Sequence, residues 1–165
     1  MKKIIFIMIS VVIGILVYQK SDEIIIPSDA IRVRIIANSN NVKDLYEKQR
    51  LKEDIKEDLY NFISSSKSSM EADNIISNNL DNIFDIVSKK TNDFDIDYGL
   101  NYFPEKIYKG VLYPEGEYKS LVITLGSGLG DNWWCVLYPP ICMIDDNKTT
   151  GDIEYRSLVF DMLTN

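Results

Sequence analysis

The sequence contains no histidine among its 165 residues and only two cysteines. Histidine is the side chain most used for acid–base catalysis, for activating a serine or cysteine nucleophile, and for binding catalytic zinc. Its absence excludes catalytic triads and zincin-type sites, and two cysteines are too few ligands for a zinc ion. We therefore predict a protein that is not an enzyme, with no catalytic residues, no metal and no cofactor.

Basic residues are also scarce, since 18 Lys and Arg stand against 25 Asp and Glu, for a net charge of -7. Binding to a phosphate backbone depends on clustered basic side chains, so nucleic acid is excluded as a partner. Hydrophobic residues make up 45% of the chain and aromatic residues 11%, which is too apolar for a disordered protein. This length and composition predict one domain with a hydrophobic core.

The N-terminus has the pattern of an export signal. Lys2 and Lys3 precede an apolar run from Ile4 to Tyr18, which is short for a membrane span. No small-x-small cleavage site follows closely, so residues 1–18 are predicted to be either a signal peptide or an uncleaved membrane anchor. The two lysines would remain in the cytoplasm and the acidic body would lie across the membrane.

Residues 19–30 are predicted to form a tether, and residues 31–165 a single extracytoplasmic domain. Alternation in Ile31–Ala37 predicts a strand, and apolar residues at helical spacing predict a helix over Val42–Ile63, capped by Asn40 or Asn41. Ser68 and Glu71 form a capping box for a second helix. Its predicted apolar face comprises Ala72, Ile75, Ile76, Leu80, Ile83, Phe84 and Val87.

Two later segments each allow a functional and a structural interpretation. Asp93, Asp95 and Asp97 have the spacing that opens an EF-hand loop, but Tyr98 and Pro104 occupy the places of its required Gly and Glu. Alternation with Phe94, Ile96 and Tyr98 favours a half-buried strand.

The loop Gly126–Gly130 follows a predicted strand, Tyr118–Leu125. Its sequence matches neither the dinucleotide-binding nor the P-loop glycine pattern, so a tight connection between strands is favoured.

These elements predict an α+β fold, in which two long helices cover one face of an antiparallel sheet. Apolar residues at helical spacing predict a short C-terminal helix. They are Tyr155, Leu158, Val159, Met162 and Leu163.

The segment from Asn132 to Cys142 holds both tryptophans and both cysteines of the chain. In an exported protein these cysteines are predicted to form a disulfide, Cys135 to Cys142, across the Pro139-Pro140 bend. Strand alternation would turn one of Trp133 and Trp134 inward and the other outward. An outward tryptophan beside a fixed loop would be a good interface anchor.

In order along residues 31 to 144, several segments resemble the stage II sporulation protein R family. They are Arg32–Ser39, Phe103-Pro104, Lys106, Tyr108, Tyr113-Pro114, Gly116, Tyr118, Gly126, Gly128, Gly130 and the specific block Asn132–Cys142. The resemblance implies a sporulation signalling protein, exported into the intermembrane space between forespore and mother cell. There it would activate a membrane-embedded aspartic protease, stage II sporulation protein GA, and so trigger processing of the sigma-E precursor.

On that resemblance, the chain would contact the protease through a partner-binding surface around the disulfide, and the membrane through its N-terminal segment. A cell-wall (peptidoglycan) binding module is the alternative, because exposed aromatic rings stack on sugars. A carboxylate enzyme using Asp131, Asp145 and Asp146 is a third hypothesis, and solvated turn acids are the simpler interpretation. The predicted partner-binding residues are Asn132, Trp133, Trp134, Tyr138, Pro139 and Pro140.

Overall fold

The computed structural model describes residues 24–143 and 152–164. The helices of this described part are α1 (Val42–Ile63), α2 (Ser69–Asn78), α3 (Leu80–Ser88) and α4 (Asp152–Thr164), with a 3-10 turn at Ile141–Met143. Its strands are β1 (Ile24–Ile25), β2 (Ile31–Ile36), β3 (Phe94–Phe103), β4 (Lys106–Tyr108), β5 (Val111–Tyr113), β6 (Gly116–Leu125) and β7 (Asn132–Tyr138). None of these helices combines the length and the apolar character needed to span a bilayer. The predicted signal or anchor segment, residues 1–18, lies outside the described residues.

The larger sheet has the strand order β3-β6-β2-β7. Strand β2 runs parallel to β6 and antiparallel to β7, so the sheet is mixed and the prediction of an antiparallel sheet was wrong in this respect. The parallel pair joins strands separated by three helices and three other strands. Whether two strands pair in parallel through such a crossover depends on contacts between distant parts of the chain, and the periodicity of a single strand does not reveal it.

Helices α1, α2 and α3 pack on one face of this sheet and bury the main core with it. The α1 boundaries agree with the prediction, and Asn41 is the cap, because its side chain accepts a hydrogen bond from the Asp44 amide at 2.9 Å. From the helices this core takes Leu51, Ile55, Leu59, Ile63, Ala72, Ile76, Ile83 and Val87, and from the sheet Ile31, Val33, Ile35, Leu121, Ile123 and Leu125.

The second predicted helix is in fact two helices, of 10 and 9 residues, so the prediction of two long helices was wrong. The Ser68 cap is confirmed, since its hydroxyl accepts from the Glu71 amide. The break comes at Asn79, whose side-chain Nδ2 donates to the Ile75 carbonyl oxygen at 2.8 Å. A short polar side chain that bonds to nearby backbone competes with helix continuation. Phe84, predicted on the apolar face, is half exposed.

The opposite face of the sheet is partly covered by a second sheet, β1-β5-β4, and by α4. A second, smaller core forms between these layers. It comprises Ile26, Ala30, Val111, Tyr113, Val136, Ile141, Tyr155 and Val159. Residues 24–30 of the predicted tether therefore supply a strand and buried side chains to the domain.

Candidate functional site

Strand β7 forms one edge of the larger sheet and carries both tryptophans. Trp133 and Cys135 are in register with Ile35 and Val33 of β2, so they lie on the helix-covered face. Trp134 lies on the opposite face, as does Val136, because their partners there are Arg34 and Arg32. The two rings therefore lie on opposite faces, as predicted. Neither ring is fully outward, because both faces are covered here and both rings are partly buried.

Each tryptophan contacts cationic side chains on its own face. The Arg34 guanidinium carbon lies 4.4 Å from the Trp134 ring centroid, and the Lys106 ammonium nitrogen lies 5.8 Å from it. Arg34 Nε also donates to Asn132 Oδ1 at 2.9 Å, which fixes Asn132 beside this ring. On the helix face, the Lys52 ammonium lies 5.7 Å from the Trp133 ring. Cation–π contacts of this kind hold both rings in place.

The predicted disulfide between Cys135 and Cys142 is confirmed, with the two Cα atoms 5.6 Å apart. Between the cysteines the chain turns through a cis Tyr138-Pro139 bond, and the Ile141 amide donates to the Pro139 carbonyl at 2.7 Å. Cys142 is buried in the main core. The bridge therefore ties the edge strand to the core beneath it.

A cavity of about 380 Å³ opens beside β7. It brings together Asn132, Trp133 and Trp134, but Tyr138, Pro139 and Pro140 are not among its lining residues. The six predicted partner-binding residues thus share one edge strand and its following turn without forming one concave surface. The cavity also gathers residues that the sequence did not assign to a binding surface, which are Arg32, Lys52, Lys56, Lys106, Tyr108, Tyr113 and Tyr155.

Arg32 is the most unusual of these residues, since only 3% of it is exposed. Its guanidinium carbon lies 4.1 Å from the Phe103 ring centroid and 4.8 Å from that of Tyr118. Burial lowers the pKa of Arg32, and the neighbouring hydroxyls of Tyr118 and Tyr113 oppose that shift. A guanidinium keeps its charge in proteins, so the cavity contains a buried cation. Strand alternation in Arg32-Val-Arg34 gave no sign that this face would be covered.

The glycine loop between β6 and β7 is a structural connection, in agreement with the simpler interpretation. Asn38 Oδ1 accepts hydrogen bonds from the amide and the hydroxyl of Ser127, both at 2.9 Å. Asn38 and Ser39 in turn donate to the Asp44 carboxylate, at 2.8 and 2.7 Å. Those bonds, led by the one from Ser39, lower the pKa of Asp44. The cluster joins the end of β2, the start of α1 and the loop.

The remaining acidic candidates form no site within the described part of the chain. Asp131 is exposed, while Asp145 and Asp146 lie outside the described residues. Asp95 and Asp97 alternate along β3, which confirms the strand interpretation of that segment. No group of three His, Cys, Asp or Glu side chains within residues 24–143 and 152–164 could hold a metal ion.

Comparison with known proteins gives a clear family match. A model of the family described as Stage II sporulation protein R matches residues 27–148, most of the chain. Stage II sporulation protein R of Bacillus subtilis (strain 168) is 36% identical over 136 residues, covering 77% of this chain and 60% of that protein. The alignment therefore leaves about two fifths of the relative's length unmatched. No solved structure matches significantly.

Proposed function

Because the chain belongs to the stage II sporulation protein R family, we propose that it is an exported sporulation signal that activates a membrane-embedded aspartic protease. The protease is stage II sporulation protein GA, and its activation triggers processing of the sigma-E precursor in the mother cell. The chain itself acts as a ligand in the intermembrane space and performs no chemistry. Its apolar segment, Ile4 to Tyr18 behind Lys2 and Lys3, supports export or tethering there.

One structural observation carries the proposal of a ligand: the aromatic edge strand β7 is held in a fixed shape by the Cys135–Cys142 disulfide. Large, partly exposed aromatic side chains on a rigid element are effective interface anchors, because little conformational entropy is lost when they bind. Trp134 has this character, since its ring is fixed by Phe103 at 5.1 Å and by Arg34. We place the receptor contact on this strand.

Activation by such a ligand requires that it bind the active state of the protease more tightly than the inactive state. Moving a receptor from about 1% to about 99% active requires a preference of roughly 10⁴-fold. A preformed binding strand raises the affinity for both states, because the cost of ordering is not deducted from the binding free energy, so the preference must come from contacts that only the active state makes.

The test is coexpression of the chain with the protease and the sigma-E precursor in a host that does not sporulate. We expect the precursor to be processed only when the chain is present. Trp134→Ala should reduce processing strongly, whereas Tyr102→Ala should leave it unchanged. Tyr102 is a suitable control because it is an aromatic residue, 58% exposed, on the opposite edge strand β3. Processing that is the same with and without the chain would refute the proposal.

A peptidoglycan-binding module is the second candidate, favoured by the aromatic lining of the cavity, where Trp134 and Tyr108 could contact sugar rings. Cosedimentation of the chain with purified peptidoglycan tests this function directly. Retention that Trp134→Ala abolishes would support it, and a chain that remains in the supernatant would refute it.

A further inference from the structure

Arg32 lies in the wall of the β7 cavity as a buried cation with unused hydrogen-bond donors. Its Nε and Nη1 atoms have no hydrogen-bond partner within residues 24–143 and 152–164. The rings of Phe103, Tyr113 and Tyr118 lie 4.1, 5.9 and 4.8 Å from its guanidinium carbon. Aromatic faces attract the charge but do not replace the acceptors that N–H groups lose on leaving water. Both atoms are buried, so an acceptor would reach them, and restore these hydrogen bonds, only when the rings around Arg32 shift.

A second buried polar group lies next to Arg32. Ser120 of β6 is in register with Arg32, so the two side chains are neighbours on the same face of the sheet. The Ser120 hydroxyl is fully buried and has no hydrogen-bond partner in the described part of the chain. Unsatisfied buried polar atoms are rare in folded proteins, so two side by side call for an explanation, although Ser120 itself does not line the cavity.

The charge of the cavity determines whether an anion or a cation would bind there. Its lining includes four basic side chains, Arg32, Lys52, Lys56 and Lys106, and one acidic side chain, Glu53. Lys52 and Glu53 form an ion pair at 3.2 Å, so Arg32, Lys56 and Lys106 leave the cavity positive in an otherwise acidic protein. An anion is favoured there, and a carboxylate matches the hydrogen-bonding geometry of a guanidinium.

The position of the cavity at the edge of β7 indicates what could deliver a carboxylate. Within the described residues β7 pairs only with β2, so its outer backbone edge is unpaired. An extended segment can add to such an edge through main-chain hydrogen bonds, and every second side chain then turns to the same face. A side chain on the Trp134 and Val136 face would turn into the cavity, whose lining on that face includes Val136 and Arg32.

We propose that the cavity receives an Asp or Glu side chain from an extended segment of the receptor, which pairs with the outer edge of β7 while its carboxylate accepts hydrogen bonds from Arg32. The identity of the receptor rests on the proposed function, whereas the chemistry of the site does not. Lys106, beside Trp134 at the cavity wall, adds a second favourable charge. The acidic side chain supplies specificity and the backbone pairing supplies most of the contact area.

The test uses the full chain in detergent and two capped pentapeptides, acetyl-Thr-Val-Glu-Val-Thr-amide and its Gln counterpart, with tryptophan fluorescence as the readout. We expect the Glu peptide to bind at least about ten-fold more tightly than the Gln peptide. A hydrogen bond between charged groups is stronger than a neutral one by a free energy that corresponds to about this factor in affinity. The preference should disappear when the pH falls below the pKa of the peptide carboxyl, about 4.3. Equal binding of the two peptides at neutral pH would overturn the proposal.

Variants of the chain identify which residue produces the preference for the Glu peptide. Arg32→Gln should remove the preference for Glu, and Lys106→Gln, an exposed substitution that leaves the core intact, should reduce it several-fold. Arg50→Gln is the matched control, because Arg50 lies on α1 against Tyr46 and does not line the cavity. A preference that survives both cavity variants would overturn the assignment. Succinate binding as tightly as the Glu peptide would overturn the edge-pairing component.

The coexpression assay separates this inference from the proposed function. Equal affinity for the two peptides, together with a chain that triggers processing, would refute the carboxylate site alone. A chain that prefers the Glu peptide but never triggers processing would refute the proposed function alone. Loss of processing in Lys106→Gln, with Arg50→Gln fully active, would support both.

Discussion

Replacing Gly130 with alanine should destabilise the protein, because the added methyl group has no space. A Cβ atom at this position would overlap the Ser39 carbonyl group, lying 2.6 Å from its carbon, and would lie 2.8 Å from the Ala37 Cβ. Real Cβ atoms essentially never approach other heavy atoms within 3.0 Å. The obstacle is backbone, so no side-chain rotation can relieve it.

The size of the effect follows from what must move. The Gly130 amide donates to the Ala37 carbonyl at 2.8 Å, so shifting the loop to admit the methyl group also weakens this hydrogen bond. Overpacking of a well-packed site costs about 1 to 3 kcal/mol, which lowers the melting temperature of a domain of this size by roughly 3 to 10 °C.

Gly99→Ala is the matched control for this substitution. The nearest atom to a Cβ at Gly99 is Asp97 Oδ2, at 3.7 Å, which is an ordinary contact. This variant should be neutral or stabilised by up to about 1 kcal/mol through the lower entropy of its unfolded state. Urea unfolding followed by circular dichroism measures both variants. If Gly130→Ala unfolds at the same urea concentration as Gly99→Ala, the packing argument for the loop is wrong.

Two further predictions concern the disulfide and the acidic cluster. Replacing Cys135 and Cys142 together with serine should lower the free energy of unfolding by about 2 to 3 kcal/mol, as expected for so short a loop. Thermal melts of the oxidised, reduced and double-serine proteins test this, and an unchanged melting temperature would contradict it. The hydrogen bonds that lower the pKa of Asp44 contribute stability above its unfolded pKa of about 3.9, and this contribution is lost as pH falls through the lower folded value. Asp44→Asn should therefore lose less stability than wild type between pH 5 and pH 2, measured by urea midpoints; equal pH slopes would refute this role of Asp44.

The elements that the sequence predicted well are those encoded by neighbouring residues. The caps at Asn41 and Ser68 each accept a hydrogen bond from a backbone amide three positions along the chain, so the pattern and the structure agree. The reciprocal bond of the predicted capping box differs, because the Glu71 carboxylate accepts from the Lys67 amide. The break at Asn79 was missed because the apolar spacing continues across it from Ile76 to Ile83. A single side-chain bond to the Ile75 carbonyl outweighs that spacing, and no periodicity reveals it.

The candidate site likewise has a part that the sequence predicted and a part that it did not. The Asn132–Cys142 block was identified because its composition is unusual, and the disulfide was predicted from two cysteines in a chain with the pattern of an export signal. The basic and aromatic lining was missed, because Lys106, Tyr113 and Tyr155 come from separate segments that meet only after folding. Nothing near any of them in sequence indicates that they lie beside Trp134.

The sequence by itself determined the α+β class, the long first helix, the disulfide and the membership of a sporulation family, since each depends on local pattern or on a distinctive block. Only the tertiary structure decided which strands pair in parallel and which face of β2 is covered. Arg32 shows the difference most clearly. Alternation in β2 places it opposite the main core, where a charged side chain normally meets water. The rings of Phe103, Tyr118 and, from β5 of the second sheet, Tyr113 cover it instead, so that it is a buried cation at the wall of a cavity.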